Sequence, residues 1–205
     1  MKLHLQTLAI LAVLILLSAC SPHYAANNDS CTGEPQADGT VVWLDEYQFT
    51  PPTFPWVTID LNETDLSLAF FKSCEGLLPG EYPCESSLAY AEDPFGFSRD
   101  LDERSREFFK RYLWASRVVF AEPDLSSTVV NGHEALVAVI VGEEPVRKRK
   151  VRAKVVFMRR GERVVAFFMN QWRPASDDFD TAEFVVMDQF VASFRFIKPS
   201  FYELL

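Results

Sequence analysis

NGHEALVAVIVGEEPVRKRKVRAKVVFMRRGERVVAFFMN, residues 131–170, decides the fold. It opens on Asn131-Gly132, the strongest short hairpin signal, preceded by a strand expected over Val118 to Val130. Ala135 to Val141 is an unbroken apolar run, which predicts a strand buried in the middle of a sheet and covered on both faces. Val146 to Met158 is a second strand, Arg160-Gly161-Glu162 a turn, and Arg163 to Asn170 a third strand lying antiparallel to it. Three long strands joined by tight turns leave an antiparallel sheet as the frame of the molecule.

Working outward, Asp180-Thr-Ala-Glu183 reads as a capping box. The helix it opens carries Phe184, Met187, Val191 and Phe194 on one stripe, with Val186 and Phe190 beside it. Toward the N-terminus, Asp100-Leu-Asp-Glu103 is a second such box, and Leu101, Phe108, Phe109, Tyr112 and Leu113 fall at helical spacing. Asp102/Arg106 and Glu107/Arg111 are expected as i,i+4 pairs on its wet face. Val41 to Phe49, Trp56 to Leu61, Thr64 to Cys74 and Ser87 to Glu92 complete the strands. The expected class is α+β, an antiparallel sheet with a helix on each face.

This order of elements resembles the PsbP-like superfamily and, within it, the DcrB-type bacterial envelope lipoproteins. The residues that carry the resemblance are the hairpin Asn131-Gly132-His133-Glu134-Ala135, the paired strands Val151–Met158 and Val164–Asn170, and the closing helix ending Phe190-Val-Ala-Ser-Phe-Arg-Phe196. It covers roughly residues 100–197. It implies an α/β/α sandwich acting as a non-enzymatic binding or assembly module. Three extra cysteines, the segment Phe49–Trp56 and a polybasic strand depart from the pattern.

The first 20 residues hold 15 apolar side chains and one charge, Lys2. The run from Leu5 to Leu17 has the length of a signal-peptide core and is short for a membrane span. Leu17-Ser-Ala-Cys20 resembles the lipobox of bacterial lipoproteins, which implies cleavage before Cys20 and lipidation of that residue; the alternative is a plain secretory signal. Ser21 resembles the outer-membrane sorting signal of Gram-negative lipoproteins, placing the protein on the outer membrane and facing the periplasm. The expected division is a leader over 1–19, a lipidated N-terminus and flexible tether over 20–40, and one domain over 41–205. Cys31, Cys74 and Cys84 then remain in a compartment that permits disulfides. Of three pairings, Cys74 with Cys84 across Pro79-Gly80 is the most economical.

Formal charge is −9 and divides unevenly. Residues 21–104 carry 16 acidic and 3 basic side chains, residues 105–205 carry 13 and 16. So acidic a chain lacks the cation excess of a general nucleic-acid binder. His133 is the single histidine of the domain, on a turn, so neither a His-based catalytic device nor the usual zinc or iron site is expected. Asp177, Asp178 and Asp180 could hold a hard cation or cap a helix. No cofactor, metal or catalytic residue is assigned.

Nine cations fall between Arg147 and Arg163. Period-2 reading puts Lys148, Lys150, Arg152 and Lys154 on one face and Val151, Ala153, Val155 and Phe157 on the other. This stripe is the candidate binding surface for anionic lipid, lipopolysaccharide or an acidic protein; its alternative is a solvated strand neutralised by the chain's own carboxylates. Phe49-Thr-Pro-Pro-Thr-Phe-Pro-Trp56 either docks a partner or closes one end of the core. The functional expectation is a lipid-anchored binding or assembly module for another envelope component, with an immunity or inhibitor lipoprotein acting against an envelope-targeting toxin as the second reading.

Overall fold

A computed structural model describes residues 33–43, 45–62, 67–72, 85–93, 100–116, 118–161 and 163–198. In chain order the elements are β1 (Glu34–Pro35), β2 (Val41–Trp43), β3 (Tyr47–Phe49), β4 (Val57–Asn62), β5 (Ser67–Lys72), β6 (Ser86–Glu92), α1 (Leu101–Ser116), β7 (Val119–Phe120), β8 (Ser126–Val130), β9 (His133–Glu144), β10 (Arg149–Arg160), β11 (Arg163–Pro174), α2 (Ala182–Ser193) and β12 (Arg195–Phe196). Two antiparallel sheets result. The larger runs β4-β5-β6-β11-β10-β9-β7, with β8 also paired to β9; the smaller runs β1-β2-β3-β12.

The sequence-derived frame holds where turn chemistry is strong. Asn131 and Gly132 both adopt positive φ, 52° and 82°, the turn that matches the twist of β8 and β9. The Asn131 side chain also donates to the carbonyls of Val191 and Phe194, so the hairpin turn ties down the C-terminus of α2. Asp100 Oδ1 accepts the amides of Asp102 and Glu103, capping α1 as expected.

Four expectations are corrected. Val41 to Phe49 is two three-residue strands around a turn with Asp45 at φ 56°, and they belong to a second sheet instead of extending the first. Residues 34–40, assigned to the tether from the sequence, form a hairpin arm whose β1 pairs with Val41 and Val42. Val118 to Val130 is broken into β7 and β8, with Pro123 between them. The run Ala135–Val141 is covered on both faces only at its start: Val139 and Val141 stand 49% and 58% exposed on the face toward α2.

One face of the larger sheet packs Leu136, Ala138, Ile140, Ala153, Val155, Phe157, Ala166 and Phe168 against Leu101 and Phe109 of α1. Gly142 has its place here because a Cβ would run into the Phe120 ring and the Val119 carbonyl of β7. The opposite face carries an aromatic core: Phe70, Leu88, Tyr90 and Phe167 meet Met187 and Phe190 of α2, its C-cap Phe194, and Trp43, Tyr47 and Phe49 of the small sheet. Thus each face has a helix, and the α2 face has the small sheet as well. Of the α1 pairs, Asp102–Arg106 forms at 2.7 Å, whereas Glu107 turns back to Arg104 and Arg111 reaches the fully buried Asp93.

At the Arg160 end of this core, Glu92 is buried between two guanidinium groups. Arg160 Nη1 and Arg163 Nη1 each donate to it at 3.0 Å, and Arg160 Nη1 also donates to the Tyr47 hydroxyl at 2.7 Å. Burial first, and the Glu92 charge second, hold the Tyr47 phenol well above its ordinary pKa. Because the folded phenol stays neutral where the unfolded one ionises, stability is retained below about pH 10 and falls as pH rises further. Urea titrations at pH 8 and above the phenol pKa should show this loss shrinking in Tyr47→Phe; an equal alkaline loss in both proteins would contradict it.

Candidate functional site

Strand β11 alternates Arg163, Val165, Phe167, Met169, Gln171 and Arg173 on the face toward α2, so the aromatic middle is bracketed by cations. The register carries that pattern across the sheet: Ser86 lies opposite Gln171, and Lys72 opposite Ser86. The first turn of α2 lands on this polar end. Asp180 Oδ1 accepts the Ala182 amide at 2.9 Å from one residue ahead of the N-cap, which is Thr181 and makes no side-chain cap, so the capping box expected at Asp180 does not form. Glu183, expected to complete the capping box, turns into the sheet instead and is 3% exposed.

Its carboxylate is shared by three strands. Lys72 Nζ of β5 lies 2.7 Å away, Ser86 Oγ of β6 donates at 2.5 Å, and Arg173 Nη2 of β11 sits 3.3 Å from both oxygens. Gln171 Nε2 donates to the Asp180 carbonyl at 2.5 Å, fixing the approach to the helix. A buried charge is retained at acceptable cost only with such partners. The network therefore sets both the position and the rotation of α2.

Beside α2 runs the segment 50–56. Phe49 stacks on Phe194 at 5.6 Å, and the Thr50 amide donates to Ser193 Oγ at 2.9 Å, so the segment is pinned at its start. Trp56, 6% exposed, anchors its end. Between segment and helix lies a groove of about 330 Å³. Pro51, Phe54 and Trp56 line it together with Val186 and Phe190 of the helix, and Lys72 and Glu183 add charged groups to the lining. Phe54 is 80% exposed at the rim. Of the two readings of this segment, the structure shows the packing one: Phe49 and Trp56 close the core, while Phe54 is left exposed. An apolar groove with a few fixed polar groups is suited to binding.

The polybasic strand divides. Arg152 lies with its guanidinium carbon 4.6 Å from the Phe184 ring centre and Lys150 with Nζ 5.1 Å from that of Phe179. Lys154 pairs with Asp188 at 2.5 Å. Lys148 is corrected from strand to turn: residues 145–148 form the β9–β10 turn and Lys148 has φ 53°. Arg147 and Arg149 meet Glu144, Arg159 meets Glu134, and Arg160 and Arg163 are the buried partners of Glu92. Val151, Ala153, Val155 and Phe157 are buried on the opposite face, as the alternation requires.

His133 is the first residue of β9, one past the turn on which the sequence placed it, and is half-buried with its ring edge-on to Phe196 at 5.6 Å. Among the described residues, no group of three or more His, Cys, Asp or Glu side chains is arranged to hold a metal ion. Cys20, Cys31, Cys74 and Cys84 lie outside the described residues, and the Cys74–Cys84 pairing with them. The Glu183 network was not read from the sequence. Its available signal was period 2 along Arg163–Pro174, which places an arginine at each end of the core face.

No protein-family model matches the chain, and no curated protein matches it. Similarity appears at the level of fold. The crystal structure of the Saccharomyces cerevisiae Ran-binding protein Mog1p aligns with a TM-score of 0.54 and 11% identity over 78% of this chain and 95% of that one. A Mog1 point mutant aligns at 0.52 over the same shares. The fold is therefore similar to that of Mog1p. The solution structure of cyanobacterial PsbP from Synechocystis sp. PCC 6803 aligns at 0.46 and 13% identity, over 86% and 99% of the two chains.

Removing the Glu183 charge takes away the buried carboxylate that Lys72 and Arg173 share beneath the helix. Glu183→Gln should cost about 3 kcal/mol in urea unfolding, whereas Phe54→Ser at the exposed rim should change stability by less than about 0.5 kcal/mol. A Glu183→Gln cost no larger than that of Phe54→Ser would show the network to be incidental.

Proposed function

We propose that the protein is a non-enzymatic, DcrB-type lipoprotein of the Gram-negative envelope, anchored to the outer membrane through lipidated Cys20, whose domain binds another envelope protein along the groove between residues 50–56 and α2. The observation that carries the binding role is the exposure of Phe54 on a wall otherwise locked into the core. An aromatic side chain costs stability nothing to remove from such a rim and gains most when a partner covers it. Supporting the anchor are the apolar run Leu5–Leu17 and the lipobox-like Leu17-Ser-Ala-Cys20. Mog1p is a Ran-binding protein; its fold, like this one, serves as a scaffold for binding, by analogy of architecture.

The test is site-specific photocrosslinking in the protein's own cells, with the reactive group replacing Phe54 and, as control, Val129, an exposed β8 residue remote from the groove in sequence. The expected result is a discrete adduct from position 54 with a resident envelope protein, absent from position 129 and abolished by Val186→Glu. Adducts of equal intensity from both positions would contradict the groove. An adduct with an imported toxin would favour the immunity reading. Cys20→Ala should release mature protein from the membrane fraction or block its processing; unchanged membrane attachment and processing would contradict the anchor.

A further inference from the structure

The β9–β10 hairpin carries chemistry that the groove does not use. On the sheet face toward α2, Val139 and Val141 of β9 pair in register with Lys154 and Arg152 of β10 and are exposed, although valines in the middle of a sheet are ordinarily covered. The hairpin tip adds Val146, 76% exposed, beside Arg147 and Lys148. Of the nine cations between Arg147 and Arg163, Lys148, Lys150 and Arg152 have no carboxylate within ion-pair distance among the described residues, while the other six do. Lys150 and Arg152 lie instead over aromatic rings, which hold the charges in place without neutralising them. Glu143 lies opposite Lys150 in register, and Asp178 and Asp180 flank Phe179 in the sequence.

Resting on the anchored-lipoprotein reading, we infer that this hairpin face is a membrane-apposition surface: Lys148, Lys150 and Arg152 meet the phosphates of anionic phospholipid headgroups, and Val139, Val141 and Val146 sit against the bilayer interface. Two arguments select a lipid surface as occupant. The chain's formal charge of −9 repels an anionic surface everywhere except where unneutralised cations cluster, so charge alone orients the domain. Reach permits it: the chain from Cys20 to Gly33 extends at most about 45 Å, and the 12 residues of β10 span about 36 Å. A domain held at Cys20 can therefore lay the far end of the hairpin on the same membrane. The groove, formed by segment 50–56 and the side of α2 away from Asp188, then stays open to the periplasm.

The experiment uses the full lipidated chain, purified from membranes and reconstituted into phosphatidylcholine vesicles with or without a phosphatidylglycerol fraction. Vesicle flotation reads the anchor, and lysine acetylation followed by mass spectrometry reads the face. Lys110, exposed on α1 over the opposite sheet face, is the internal control. With phosphatidylglycerol at low salt, Lys148 and Lys150 should be acetylated about five-fold more slowly relative to Lys110, an effect on the order of that expected for one cation at an anionic surface. The protection should vanish in high salt, in pure phosphatidylcholine and in Arg152→Glu. Flotation with both vesicle types but no change in Lys148 and Lys150, or equal protection by both lipids, overturns the inference and leaves the anchor standing. Flotation with neither overturns both.

Discussion

A carboxylate is removed from water only when cations go with it, and this sheet face buries two of them. Glu92 and Glu183 sit at opposite ends of the aromatic core, the first between Arg160 and Arg163, the second among Lys72, Ser86 and Arg173. Between them the strands supply only apolar side chains from Leu68 and Tyr90 across to Val156 and Met158. The two charge clusters do what the core cannot. Hydrophobic burial is indifferent to where a helix slides along a greasy surface, whereas an ion network with fixed donors is not. Glu183 sets where α2 begins, and Asn131 holds where it ends.

From that fixed helix the groove follows. Phe49 stacks on Phe194, Thr50 is held by Ser193, and the proline segment can only run alongside α2, with Trp56 tucked back into the core. Prolines at 51, 52 and 55 limit the segment's freedom before any partner arrives. The exposed Phe54 is then presented at small entropic cost. The same face, two strands along, leaves Val139 and Val141 exposed beside the half-buried Lys150 and Arg152, which lie over the Phe179 and Phe184 rings. One placement thus generates a closed core, a groove and an open basic margin.

Much of this was legible in the chain. Asn131-Gly132, the alternation of β10 and β11, and both helix stripes are local signals, and local signals survive folding. The small sheet was hidden because Val41–Phe49 keeps a strand-like pattern through its turn, with no glycine at the positive-φ position, where Asp45 stands. The break at Pro123 was hidden by the β-branched residues on either side. Glu183 was misread for a different reason. Its position fits a capping box, and only the register of β5, β6 and β11 reveals that Lys72, Ser86 and Arg173 converge on it. Long-range electrostatics of this kind has no sequence period. The division of the polybasic window was likewise invisible, since partners such as Asp188 and Glu134 come from other elements.

The account's central claim is that the ion network under α2 and the walls of the groove form one cooperative unit resting on an independent sheet. Native-state amide hydrogen exchange tests it most directly, comparing the unsubstituted protein with Glu183→Gln. The account predicts that protection falls together at Thr50, Trp56 and the amides of Ala182–Ser193, while β10 and β11 keep theirs. Loss confined to the helix, with Thr50 and Trp56 unaffected, or a uniform loss across the sheet, would contradict it.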